Sequence, residues 1–63
     1  MKLRVNGNEH AFDGKNLQEL IFDLKIDPNT VVVEHNGEIV ARGTDRKLVE
    51  GDKLEIVWFV GGG

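Results

Sequence analysis

At 63 residues the chain has room for one domain, near the lower limit at which a single core holds without staples. It contains no cysteine, which excludes disulfides and cysteine-based zinc sites, so packing must supply the stability. Charged residues make up 30% and hydrophobic ones 40%, with a net charge of −3 and no run of lysine or arginine. That mixture is ordinary for a folded soluble domain and lacks the basic footprint of a nucleic-acid or anionic-membrane binder.

Residues 2–5, KLRV, alternate polar and apolar, which puts Leu3 and Val5 on one face of a strand and Lys2 and Arg4 on the other. Asn6-Gly7 follows, and a type I′ turn needs positive φ at both central residues, so a second strand over residues 9–12 is expected to return antiparallel. Asp13-Gly14 breaks that strand. Asn16 and Glu19 have the spacing of a capping box, and Leu17, Leu20, Ile21 and Leu24 fall at i, i+3, i+4 and i+7, the apolar stripe of a helix. The helix should stop before Pro28, because the residue preceding proline is pushed out of the helical region.

TVVVEHNGEIVA is β-branched and holds a second Asn-Gly at Asn36-Gly37, so it reads as a strand turning into a short fourth one. GTDRKLVEGD reads as a loop with room for one helical turn, and Gly51-Asp52 as a turn into a last strand over residues 53–60. These elements fit one amphipathic helix packed on one face of a small mixed sheet, an α+β architecture. Parity in the last strand sends Leu54, Ile56 and Trp58 toward the helix. Val57 and Phe59 fall with Lys53 and Glu55 on the uncovered face.

Catalytic chemistry has little to work with. There is no serine, cysteine or tyrosine, and Thr30 and Thr44 sit among loop-forming neighbours. His10 and His35 lie on different predicted strands without metal-ligand spacing, so no metal site is expected. Eleven carboxylates allow acid/base pairs on paper, but a single-layer fold of this size offers little concavity. A non-enzymatic role is the expectation. The N-terminal stretch has no apolar run of signal-peptide length and no window approaches a membrane span, which makes a cytoplasmic location the default.

The sequence closes on WFVGGG, three glycines directly after a strand. No helix follows them, so they cannot form a phosphate-binding loop. Without side chains, Gly61, Gly62 and Gly63 can be threaded into a slot too narrow for other residues, reaching about 10 Å at full stretch. The reactive group would then be the terminal carboxylate, a poor electrophile until ATP converts it to an acyl-adenylate that a sulfur donor can attack.

VNG at residues 5–7, the LQELI helix, VVVEHNGEIV, EGDKLEIV and the closing FVGGG together resemble the ThiS family, the sulfur carriers of thiamine thiazole biosynthesis. The resemblance covers essentially the whole chain. It implies a ubiquitin-like β-grasp fold over residues 1–60, with the last strand central beside the first, and a flexible glycine tail at 61–63. It also implies that a ThiF-like adenylating enzyme activates Gly63 with ATP, with Gly62 as its unhindered neighbour and Gly61 extending the tail. Sulfur would enter from a donor such as a cysteine desulfurase and pass to a ThiG-like thiazole synthase. ATP belongs to the activating enzyme, so the carrier itself needs no cofactor. Gly43 and Thr44 depart from the helix-forming residues expected in such proteins. Val57 and Phe59, with Gly61, are the candidate partner contacts. Three other readings stay open at this level: a MoaD-like small subunit of molybdopterin synthase, a ubiquitin-like modifier, and a plain β-grasp binding module.

Overall fold

A computed structural model of the chain describes residues 1–59. Five strands, β1 (Lys2–Val5), β2 (Asn8–Ala11), β3 (Val31–His35), β4 (Glu38–Val40) and β5 (Lys53–Trp58), form one mixed sheet in the order β2-β1-β5-β3-β4. One helix, α1 (Leu17–Asp23), covers one face, and a 3-10 turn spans Pro28–Thr30. β5 is central, parallel to β1 and antiparallel to β3. This is the ubiquitin-like β-grasp arrangement.

Both Asn-Gly pairs form the turns read from the sequence. Asn6 and Gly7 have φ of 50° and 83°, Asn36 and Gly37 of 50° and 87°, the doubly left-handed geometry of type I′ turns. β2 begins at Asn8 and ends at Ala11, one residue earlier at each end than expected. Phe12 leaves the strand to enter the core at 3% exposure, while its backbone still bonds Met1 on both sides. Gly14 lies so close to the Phe12 ring that an added Cβ would stand 2.3 Å from it.

The stripe of α1 is buried as its period requires: Leu17, Leu20 and Ile21 are at 5% exposure or less, and Leu24 packs partly on the same core. The helix ends in a Schellman pairing, with Lys25 N–H donating to Phe22 O and Ile26 N–H to Ile21 O, well before Pro28. Lys25 takes the left-handed φ of 58° where glycine is usual, and Ile26 supplies the apolar contact to the core.

The expected capping box does not form. Asn16 has the extended backbone of an N-cap, but its side chain donates to Asp45 Oδ2 at 2.8 Å and caps nothing. Asp45 Oδ1 accepts the free N–H of Gln18 instead, at 3.0 Å, and Glu19 reaches Lys15 N–H. The orphan donors of the helix N-terminus are thus satisfied from a segment remote in sequence. The same segment contributes Arg46 O to Leu17 N–H, and it delivers Leu48 to the core at 2% exposure. These contacts explain why no helical turn forms between β4 and β5: the backbone is committed to α1. Gly43, at φ 81°, sits in the turn that redirects it.

The start of β5 is tied down by a buried acid. Asp52, 7% exposed, accepts from His35 Nε2 at 2.8 Å, Asn36 Nδ2 at 3.0 Å and Val49 N–H at 3.0 Å. His35 Nδ1 faces Arg46 Nη1, so this network assigns the ring proton to Nε2. Burial by itself raises the Asp52 carboxyl, but the hydrogen bonds from Asn36, His35 and Val49 outweigh it and hold the group below its ordinary value.

Leu20→Ala should cost roughly 2–5 kcal/mol, a large share of the stability of so small a domain, measurable by urea unfolding. A loss near zero would refute the burial of α1. Because the Asp52 carboxyl titrates lower folded than unfolded, its stabilisation is complete above the ordinary value of 3.8 and disappears as pH falls through the folded value. Asp52→Asn should therefore be less stable than the parent at about pH 7, with the gap closing below about pH 4. A gap independent of pH would show that the charge of Asp52 is immaterial.

Candidate functional site: the open sheet face and the end of the central strand

β5 alternates between buried and exposed residues from Lys53 to Val57. Leu54 and Ile56 are at 1% and 4% exposure against α1, while Lys53, Glu55 and Val57 are exposed on the opposite face. Val57 stands opposite Val32, and Glu55 opposite Glu34, which in turn faces Ile39 on β4. The sheet therefore has one covered face and one open face, and the open one changes character along β5. Lys2, Arg4 and Lys53 lie at its start, the two glutamates in the middle, and Val57, Val32 and Ile39 beyond them.

Val57, on the open face opposite Val32, is 53% exposed, and Phe59 is 50% exposed. Phe59 lies just past the end of β5, its N–H donating to Thr30 O at 3.0 Å. The Arg42 guanidinium lies 5.8 Å from the ring centroid, within cation–π reach. Phe59 and Arg42 also line a surface cavity of about 230 Å³ whose other walls include Leu17 and Ile21 of α1 and the helix-facing Val31, Val33 and Val40, so it lies between α1 and the β3–β4 edge rather than on the open face. Ile39 is 71% exposed, so the apolar end of the open face is wider than the two residues expected. The same alternation would have found Val32 and Ile39, since each neighbours a buried valine, Val31 or Val33 in one case and Val40 in the other.

Trp58 corrects the reading of β5. Parity places it on the helix side, opposite Val31 on the last rung of the ladder, yet it remains 50% exposed. The seven residues of α1 extend about 10 Å, whereas the six of β5 run about 20 Å, so the helix cannot roof the whole strand. Trp58 thus joins Val57 and Phe59 in an apolar, half-open segment. The last strand was expected to reach residue 60; it ends at Trp58. Val60 and the candidate residues Gly61, Gly62 and Gly63 lie outside the described residues.

Asp45 at the helix N-terminus also has a lowered carboxyl, held down first by the Gln18 N–H and then, against burial, by Arg46 N–H and the Asn16 amide. All its partners are structural. Among the described residues no group of three or more His, Cys, Asp or Glu side chains could hold a metal ion.

The ThiS family model matches residues 3–63. A thiazole synthase of Magnetococcus marinus and another of Paramagnetospirillum magneticum are each 42% identical to the chain over 66 aligned positions, covering all of it. The chain spans only about a fifth of the length of these two relatives, 20% in each case. The sulfur carrier protein ThiS of Bacillus subtilis is 35% identical over 97% of this chain and 98% of its own length. A crystal structure of the thiamine biosynthesis protein ThiS from Geobacter metallireducens superposes with a TM-score of 0.73 at 38% identity, with both chains covered completely. On the match of its residues 3–63 and its likeness to the Bacillus protein from end to end, the chain belongs to the ThiS family.

Proposed function

We propose that the chain carries sulfur for the thiazole of thiamine, as a protein cosubstrate rather than an enzyme, with the reaction at the α-carboxylate of Gly63. The observation that carries this reading is the family match, which spans residues 3–63, from β1 through the three glycines. A ThiF-like adenylating enzyme supplies the activation: the carboxylate attacks the α-phosphate of ATP, pyrophosphate leaves, and an acyl-adenylate results. The outer sulfur of a persulfide on a donor such as a cysteine desulfurase then attacks the acyl carbon and expels AMP, and a thiol cleaves the resulting acyl disulfide, forming a disulfide with the donor cysteine and leaving a thiocarboxylate. Gly62 leaves that carbon unhindered, and Gly61 lengthens the tether. Likeness to a stretch of two proteins named thiazole synthase supports a ThiG-like synthase as the acceptor. All of this takes place in the cytoplasm.

The division of β5 supports the same reading. Its first half is locked into the sheet, and its end presents Val57 and Phe59 half exposed beside the tail they precede. These two residues form the docking contact through which the adenylating enzyme and the synthase grip the carrier. Gly61 follows as the first tail residue to enter the partner.

Incubation with ATP, a ThiF-like enzyme and a sulfur source should shift the intact mass by the exchange of one oxygen for sulfur, confined to the C-terminal peptide. No shift with any such enzyme would contradict the proposal. Phe59→Ala should keep the thermal unfolding midpoint close to that of the parent and slow thiocarboxylate formation several-fold. An unfolded variant would instead make Phe59 a core residue.

A further inference from the structure

One feature of the open face lacks an explanation within the chain. Glu34 and Glu55 are directly opposite on β3 and β5, on the face away from α1. Like charges in that position destabilise a sheet. Glu55 is exposed and Glu34 half-buried, and among the described residues neither carboxylate takes part in an ion pair or a side-chain hydrogen bond. Lys53 shares the face but pairs with neither of them. The other nearby cations are engaged elsewhere: Lys2 lies 3.8 Å from Glu9, and Arg4 Nη1 donates to Gly7 O at 3.0 Å.

The pair borders the apolar end of the face. Glu34 neighbours Ile39 across the β3–β4 ladder, and Glu55 precedes Val57 by two residues on the same face. A surface that covers Val57, Val32 and Ile39 must therefore also meet the two carboxylates. A second copy of this chain fits poorly there, since face-to-face packing would bring four carboxylates together. A partner with an apolar patch and an adjacent basic side chain fits on both counts, removing the repulsion that the free protein carries.

We propose that Glu34 and Glu55 jointly receive an arginine or lysine of the adenylating enzyme, and that this contact sets the orientation in which the carrier docks. The inference rests on the reading of the open face as the docking surface. An arginine between the carboxylates and an apolar contact over Val57 define a line along β5. A docked enzyme is then directed toward the end of the strand from which the tail departs.

The test compares the full chain, the double variant Glu34→Gln/Glu55→Gln and Phe59→Ala by calorimetric binding to a ThiF-like enzyme. Salt is raised from about 0.1 M to about 1 M, which shortens the screening length from about 10 Å to about 3 Å. The double glutamine variant should bind about three- to tenfold more weakly at low salt, lose most of its salt dependence, and unfold at the same or a higher temperature. Parental affinity and salt dependence in the double variant, with weakened binding by Phe59→Ala, would overturn the role of the carboxylates alone. If Phe59→Ala also binds like the parent, the docking face itself is misplaced, and the proposal goes with it.

Discussion

Everything in this domain depends on how β5 is held. Among the described residues it is the only strand with a partner on each side that itself pairs onward, and both hairpins converge on it through their turns. Asn6 Oδ1 accepts the Ile56 N–H at 2.7 Å and Asn6 Nδ2 donates to Ile56 O at 3.2 Å. The side chain thereby continues the β1–β5 ladder beyond the point where β1 turns away. Asn36 does the equivalent from the other side, with Oδ1 on Lys53 N–H at 2.9 Å and Nδ2 on the buried Asp52. Each Asn-Gly pair thus has two tasks: a left-handed turn, and a clamp on the central strand.

This clamp has a consequence for function. Under the proposed function the tail needs a base that does not yield, and β5 provides one through the β3 ladder from Leu54 to Trp58, pairing with β1 at Lys53 and Leu54, and the Asn6 side chain on Ile56. The strand outruns the short helix, so its far end is fixed in position but uncovered in surface. Rigidity and exposure are usually opposed in a small domain. Here they are separated along one strand: Leu54 and Ile56 anchor it, and Val57, Trp58 and Phe59 remain half open.

Much of this was legible from local pattern, because the interactions are local. The two turns, the helical stripe and the alternation of β5 follow from residues within a few positions of one another. The N-cap was not legible. Asn16 and Glu19 have the right types and spacing, but Asp45, 27 residues beyond Gln18, takes the helix donors, and nothing near Asn16 signals that. Leu48 was missed for the same reason: its burial depends on a backbone path fixed by α1 rather than by its neighbours. Trp58 failed because parity assigns a face without knowing where the covering element ends. The central position of β5 came from the family resemblance alone, since strand order is a long-range property.

In the proposed function the folded domain is a rigid, orienting mount and the glycine tail the carrier of sulfur. The most direct test follows the atom itself: a thiocarboxylate made with isotopically labelled sulfur is mixed with a ThiG-like synthase and its small-molecule substrates. The account predicts that the label appears in the thiazole ring in proportion to the carrier consumed. A thiazole that forms without the label, or a carrier that keeps its sulfur while product accumulates, would contradict it.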